Sequence, residues 1–593
     1  MSIPSRAQCF RLNGALSRHR WLERSLEHLS GLAQLEGGYA AMPDGLDTHS
    51  FLGRAFDHLD INYQLPDAEL ARIPLQGGVV VVANHPYGGL DGMILAHLLI
   101  GLRSDVRILA NSMLNRVPEL NGLFIGVDPY GGNTAKHRNR SAMREAVRWL
   151  QQGGLLLVFP AGEVSRLDRH GLIRDPAWSP SIARLIQATQ VPVLPVHVSG
   201  RNSLLFQLAG LLHPRLLTLL LPRELLNKAG HTVTLRIGQL IEFKHLPDDV
   251  CAMLNQLRMR SYLLGDLNRP VPRTGVESTT QQPLAAAQDP FLLQYEIHQL
   301  PEQQRLVQNG NMEVWYARAQ QTPYLLQEIG RLREMTFREV GEGTGKASDL
   351  DLYDSYYLHL FVWNAEKMEM VGAYRLGLID QILPHYGKKG LYTHSLFRYR
   401  RKLIESLGPA IELGRSFVQP AYQRSFSPLL LLWKGIGEFV VRHPHYRILL
   451  GPVSISNDYH SLSRQLMVAF LQDNRLVPDL ARQIQARTRF RGMGRRWRSN
   501  GYAQLADIET LSDLIAQIEG DGRGTPILLK QYLKMGGKLL GFNLDRQFSD
   551  ALDGLIMVDL CETDPKVLSR YMGQEAAQQY LAYHRQQALK SAR

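Results

Sequence analysis

Cysteine is scarce, with 3 among 593 residues, at positions 9, 251 and 561. The odd number and the long spacings exclude a disulfide framework and a cysteine-based zinc site, and point to a reducing compartment. The N-terminal stretch MSIPSRAQCFRLNGALSRHRWLERSL lacks the apolar core of a secretory signal, so none is expected. Long apolar runs are missing too. The best candidate, Leu204 to Leu221, is interrupted by Gln207, His213, Pro214 and Arg215, and a central Pro-Arg pair is costly in a bilayer. That stretch reads as a broken amphipathic helix pair, either a buried core hairpin or an element docking on a membrane surface. Acidic residues are outnumbered, 55 against 67 Lys and Arg, giving a net charge of +12. Such a surface prefers anionic partners such as acidic headgroups or an acidic protein. Nucleic acid ranks last, because no reading motif accompanies the charge. With 45% apolar residues the chain is not largely disordered, and its length predicts more than one core.

What is present alternates. Residues 1–60 read as a helical leader. Beyond them, Gly78-Val-Val-Val-Val-Ala83 is a β-branched run typical of a buried strand. Further strands are predicted over 106–110, 155–159 and 191–198, with helices over 91–100, 141–152 and 181–189. This alternation predicts an α/β sandwich over 61–268. The Pro-rich stretch RPVPRTGVESTTQQPLAAAQDP, residues 269–290, reads as a linker. A second α/β domain follows over 291–593. It has a hairpin at 358–363 and 370–376, a strand over 410–418, a helix over 429–441 and a strand over 446–453.

The most informative segment is Val81-Val-Ala-Asn-His-Pro-Tyr-Gly-Gly-Leu-Asp-Gly. A buried strand delivers Asn84 and His85 to its C-terminal end, where open α/β sheets place their chemistry. Asp91 returns through Gly88-Gly89. A carboxylate on one ring nitrogen orients the imidazole, leaving the other to take a proton from a hydroxyl. The alternative reading is an Asp91 that only caps a helix and a His85 that only bonds backbone.

Downstream stand Phe159-Pro-Ala-Gly-Glu-Val-Ser-Arg166 and Val191-Pro-Val-Leu-Pro195. With the Asn-His-Asp segment ahead of them, these blocks resemble the glycerolipid acyltransferase family, over residues 60–265. The resemblance implies acyl transfer with His85 and Asp91 as catalytic residues and no metal. It implies acceptor binding by Asn84, Phe159, Pro160, Gly162, Glu163 and Arg166. Leu123-Phe-Ile-Gly-Val-Asp-Pro, with Asn133, sits at the family's second acceptor block. Two departures stand out: the His-to-Asp spacer is five residues instead of four, and Ala161 occupies the usual place of the acceptor-block Glu. The other reading of Glu163 and Arg166 is a surface ion pair of little worth.

In the second half, Arg331-Leu-Arg-Glu-Met-Thr-Phe-Arg-Glu339, Asp349-Leu-Asp-Leu-Tyr-Asp354, Val371-Gly-Ala-Tyr-Arg-Leu376 and Ile411-Glu-Leu-Gly-Arg415 occur in order. That order resembles the acyl-carrier-protein-dependent N-acyltransferases of the acetyltransferase superfamily, over about 325–560. The matching residues are Arg333, Glu339, Asp354, His359, Arg375, Glu412 and Arg415, with Glu339, Asp354 and Glu412 as candidates to hold an amine. A Gly-rich coenzyme A loop is not found after the strand, which favours acyl-acyl carrier protein over acyl-CoA as donor, with no tightly bound cofactor. Basic runs at 398–402 and 487–498 could steer an acidic carrier. Together the halves resemble the bifunctional ornithine lipid synthases. N-acylation of ornithine by the C-terminal half and O-acylation of the lyso-lipid by the N-terminal half are then expected, at the cytoplasmic face of the inner membrane, with a peripheral attachment to lipid. The rival readings are a lysophospholipid acyltransferase with an accessory half, and a non-enzymatic, haemolysin-like membrane-binding protein.

Overall fold

In the computed structural model, Val79–Ala83 form a strand with no exposed surface. The residues described are 27–591 apart from 29, 112–116, 128–132, 169–170, 213, 267–280, 425–426, 491–506 and 547. They fall into two compact units, 27–266 and 281–591.

The first unit carries β1 (Ile61–Gln64), β2 (Val79–Ala83), β3 (Val106–Asn111), β4 (Phe124–Val127), β5 (Leu155–Val158), β6 (Arg166–Leu167), β7 (Ile173–Arg174), β8 (Val193–Val198) and β9 (His231–Ile237). Seven of them make one sheet, ordered β1-β9-β8-β2-β5-β3-β4, while β6 and β7 form a small hairpin. All neighbours in the large sheet are parallel except β8 and β9. Strand β2 is therefore central, and alternate valines feed apolar layers on its two faces. Helix Gly89–Ile100 covers one face, and helices Asn133–Gln151, Pro180–Thr189 and Val250–Asp266 the other. Helices Leu32–Ala40 and Thr48–Leu59 pack Tyr39, Phe51, Leu52 and Phe56 into the same core as the β2 valines, so this part of the leader is no separate body.

Two expectations shift. The helix predicted at 141 begins two turns earlier, at Asn133. The strand predicted over 191–198 begins at Val193, so Pro192 is left outside and Pro195 sits inside β8. It is tolerated because its nitrogen faces residues 238–240, between the partners Ile237 and Ile241, where the neighbouring strand is interrupted.

The second unit carries β10 (Arg305–Asn309), β11 (Met312–Arg318), β12 (Leu358–Asn364), β13 (Glu369–Leu378), β14 (Phe397–Tyr399), β15 (Ala410–Val418), β16 (Ile448–Ile455), β17 (Ile484–Ala486), β18 (Lys538–Asp545) and β19 (Ala551–Asp559). Eight form a sheet in the order β10-β11-β12-β13-β15-β16-β19-β18, and β14 pairs β17. The large sheet is antiparallel except for β15 and β16. Those two pair only at Ala410–Ile448, Ile411–Leu449 and Glu412–Leu450, and then part. At the same level β15 bulges against β13, and Arg415 takes a left-handed backbone with φ of 50°. Residues 281–289, expected to be linker, run along this unit instead. The main-chain N–H groups of Gln282 and Ala285 bond the carbonyls of Gly345 and Ala347, and Asp289 caps helix Pro290–His298.

Candidate active sites

Asp91 both caps a helix and faces the histidine. Its Oδ2 accepts the N–H groups of Tyr87 (2.9 Å) and Gly88 (3.0 Å) and lies 3.0 Å from His85 Nδ1. The imidazole contact is at ion-pair distance with imperfect hydrogen-bond alignment. The longer spacer is absorbed at Gly88, whose φ of 89° suits glycine, and a β-carbon there would press on Leu221 and Val164. Asp91 is wholly buried. Desolvation raises its pKa, and its contacts with His85, Tyr87 and Gly88 oppose the rise. With Nδ1 toward Asp91, Nε2 is left as the nitrogen that can accept a proton.

Phe159 stacks on the His85 ring, centroids 4.1 Å apart. Pro160 is buried and its carbonyl accepts the N–H of Ser179. Gly162 turns the loop in a left-handed conformation. Glu163 and Arg166 form a partly exposed ion pair at 3.4 Å. Asn84 departs from expectation. Its amide exchanges two hydrogen bonds with the main chain of Val198, at 2.9 and 2.7 Å, so it ties β2 to β8 instead of facing an acceptor. Two such bonds stabilise by about 1 kcal/mol each. Asn133 opens its helix, and its side chain lies outside the described residues.

One residue that no motif marks holds the site together. Asp175, buried, accepts from the His85 N–H (3.2 Å), the Ser165 hydroxyl (2.5 Å) and the Trp178 indole (3.2 Å). It clamps the loop after β2 to the loop after β5. Beside them lie helices Leu204–Leu212 and Pro214–Leu226, whose Phe206 and Leu217 pack on Val164. Their outer face is apolar: Leu204 is 74% exposed and Leu208 59%, with Leu205, Leu211 and Leu219 exposed as well. No helix among the described residues is long and apolar enough to cross a membrane.

In the second unit a buried charge network gathers most of the expected residues. Arg333 pairs with Asp349 (2.9 Å) and Asp354 (2.8 Å), and Arg375 with Asp351 (2.7 Å) and Asp354 (3.2 Å). Asp354 is held well below the usual carboxylate range, because Arg333 and Arg375 outweigh the desolvation that would raise it. His359 Nε2 meets the Asp354 carbonyl at 2.8 Å, and burial lowers its pKa. Arg375 sits among the rings of Tyr353, Tyr357 and Tyr392. Arg415 lies loosely beside Asp349 and Asp351, at 3.8 and 3.9 Å, and over the ring of Phe548.

The three expected amine-binding carboxylates are placed apart from one another, and two of them are already engaged. Glu339 is exposed at the end of helix Pro323–Glu339 and outside the network. Asp354 is paired with two guanidinium groups. Glu412 is encased: it accepts from the hydroxyls of Tyr357 and Thr393 and from the N–H groups of Tyr392 (3.0 Å) and Thr393 (2.8 Å). Sequence reasoning also missed Glu342, Asp458, Asp545 and Asp553, which lie near Arg415 and Arg464 on loops and outer strands far apart in sequence.

The comparisons with known proteins fall on these two units. Residues 14–266 match the acyltransferase family model, and residues 332–434 match the acetyltransferase (GNAT) domain model. A lyso-glycine lipid O-acyltransferase of Phocaeicola vulgatus is 30% identical over 201 residues, covering 33% of this chain and 69% of the relative. The chain belongs to the acyltransferase family. A GNAT-type domain model matches a second region of the same polypeptide. A glycine N(alpha)-acyltransferase of the same organism is 35% identical over 178 residues, 28% of this chain. The match covers 55% of that relative, about half its length. Among solved structures, the 1-acyl-sn-glycerophosphate acyltransferase PlsC of Thermotoga maritima is 20% identical, with a TM-score of 0.24, covering 37% of this chain and 76% of that one.

Proposed function

We propose that this enzyme acylates one amino-acid acceptor twice, making an aminolipid. The second unit transfers a 3-hydroxyacyl chain to the amine, and the first unit esterifies the new hydroxyl. The observation that carries this reading is the presence of two unlike candidate sites in one chain. One is a His-Asp pair at a strand end, suited to activating a hydroxyl. The other is a sheet whose two parallel strands part beside a buried charge network.

In the first site His85 Nε2 takes the proton of the acceptor hydroxyl, and the oxygen attacks the thioester carbonyl. The C–O bond forms, the C–S bond breaks, and the imidazolium returns its proton to the leaving thiolate. Asp91 orients the ring and stabilises its charged form. In the second site the unpaired edges of β15 and β16 offer main-chain groups to the amide-bearing arm of the donor. Acyl carrier protein is the donor we favour. The β14–β17 pairing brings Arg398 of one basic run and Arg487 of the other, which bonds the His394 carbonyl just ahead of β14, to the same part of the unit, which supports docking of an acidic carrier. The exposed leucines beside His85 support attachment to a lipid surface, at the cytoplasmic face of the inner membrane.

Ornithine is the acceptor expected from the overall domain pairing. Glycine is a second reading, favoured by relatives named for glycine. Expression in a host lacking such lipids, followed by mass analysis of the lipid extract, tests both. A new ornithine-containing or glycine-containing diacyl lipid supports the proposal and selects the amino acid. Extra phosphatidic acid alone would overturn it in favour of a lysophospholipid acyltransferase.

A further inference from the structure

Asp553 stands on β19 opposite Ser454 of β16 and Asn543 of β18. Alternation along the strands places Ser454, Asn543, Asp545 and Asp553 on one face of the sheet, the face that also carries Arg375 and Glu412. Asp553 is 4% exposed. One carboxylate oxygen accepts the Ser454 hydroxyl at 2.9 Å, and the other has no hydrogen-bond partner. Glu342, 9% exposed in the loop after helix Pro323–Glu339, receives no side-chain hydrogen bond or ion pair among the described residues. Asp458 lies against Gly341, the neighbour of Glu342. Two cations border the set. Arg415 leans toward Asp349 and Asp351. Arg464 is engaged with Asn457 and the Asp550 carbonyl. Two buried carboxylates, Asp553 and Glu342, thus lie beside the half-buried Asp545 and the exposed Asp458, and neither makes an ion pair with Arg415 or Arg464. Buried like charges are costly unless a counter-charge arrives. Among the described residues no such group is drawn together closely enough to hold a metal ion. An organic ammonium, with its three divergent donors, fits the spread of oxygens better.

We propose that Asp553 and Glu342 form the acceptor-amine site of the N-acyltransferase unit, in which Asp553 takes a proton from the substrate ammonium. The site lies past the point where β15 and β16 part, so the freed amine meets the thioester at the gap. The ammonium gives one proton to the Asp553 carboxylate. The amine nitrogen then attacks the thioester carbon, a C–N bond forms, the C–S bond breaks, and the thiolate takes the second proton lost from nitrogen. The protonated Asp553 releases its proton to solvent, which closes the cycle. The electrostatics agree with the geometry. Burial, reinforced by Asp545 and Glu342, pushes Asp553 up to about 8 against the pull of Ser454 and Arg415. Burial and Asp458 push Glu342 up to about 7. Tyr392 and Tyr459 are further titratable neighbours, both raised by burial.

This inference rests on the N-acylation reading, and one experiment separates them. The full chain is assayed with ornithine and with glycine, with 3-hydroxyacyl-acyl carrier protein as donor, as wild type, Asp553→Asn and Glu342→Gln. Wild type should form the acyl-amide. Asp553→Asn should lose on the order of 10²-fold in kcat/KM near neutral pH and regain rate as pH is raised through the titration of the acceptor amine. A merely structural role would not give that recovery. Glu342→Gln should raise KM for the amine about tenfold with a smaller effect on kcat. Unchanged kinetics in both variants, with an active wild type, would overturn the site assignment alone. An inactive wild type with every amine would overturn the N-acylation reading and the site together. Should Asp553→Asn not fold, Glu342→Gln and Ser454→Ala carry the test, and normal KM in both rejects the site.

Discussion

The carboxylate of Asp175 accepts the main-chain N–H of His85 at 3.2 Å, across 90 positions of sequence. Asp91 governs the ring of His85, and Asp175 governs its backbone. Replacing Asp175 by Ala leaves three donors without their acceptor, at a cost of about 1–3 kcal/mol for each buried group. We expect Asp175→Ala to lower the melting temperature by several degrees and to reduce kcat for O-acylation more than it raises KM. Asp175→Asn should restore part of the stability. Wild-type O-acylation kinetics in Asp175→Ala would show that the loop holds its shape without the clamp.

His85→Ala removes the proton acceptor and should cost about 10²–10⁴-fold in O-acylation. In cells the mono-acylated lyso-lipid should accumulate while the diacyl product disappears. Asp91→Asn should be milder or equal, since the ring remains while its orientation and charge partner change. Lipid profiling by mass spectrometry reads both. Undiminished diacyl lipid in His85→Ala would remove this residue from the chemistry.

Acid-base linkage gives a third expectation. Asp553 and Glu342 titrate near 8 and near 7 in the folded protein, against ordinary values of 3.8 and 4.5. Between the two sets of values the unfolded chain has lost protons that the folded one retains, so stability falls as pH rises from about 4 to about 8 and then levels. Asp354, held low by Arg333 and Arg375, works the other way, losing its contribution as pH falls below the ordinary carboxylate range. The Asp553→Asn variant isolates the first effect. It should melt higher than wild type near pH 8, and the gap should close near pH 5. A gap independent of pH would mean that Asp553 ionises like an exposed carboxylate.

The leucines on the helix pair should supply the part of membrane attachment that salt does not remove. Leu208→Asp with Leu211→Asp should release the protein from vesicles of mixed anionic and neutral lipid at high salt, while wild type is retained in part. Each buried leucine contributes about 1.5–3 kcal/mol. Equal partition of wild type and the double variant would assign this face to something other than lipid.

Where a residue's role was set by neighbours in sequence, the chain could be read directly. Four consecutive valines followed by Ala-Asn-His announced a buried strand that delivers His85 to its C-terminal end, and the glycine pair announced a turn able to take an extra residue. Strand β15 begins and ends where its alternation suggested. Roles set by contacts across the fold were not legible. Asn84 matches an acceptor-binding motif, yet its partner Val198 is visible only when β8 lies beside β2. Glu339 and Glu334 both punctuate one helix. It is Glu334, five positions earlier, that turns inward to bind Arg338 and the Thr344 and Gly345 N–H groups, while Glu339 reaches solvent. Asp175, Glu342 and Asp553 carry no motif, because a lone carboxylate in a loop or strand looks like any other until its surroundings are known.

The parting of β15 and β16 also has a kinetic side. In the middle of an eight-stranded sheet, main-chain amides are ordinarily the slowest in a domain to trade hydrogen for deuterium. Here the facing edges of 413–418 and 451–455 have no strand partner in each other. Amides that point into that gap should exchange quickly in the free enzyme, although their flanks are among the most protected parts of the unit. A donor arm seated between the strands would supply the missing partners. Exchange at this one seam would then slow on binding, giving a readout of donor occupancy that needs no acceptor and no turnover.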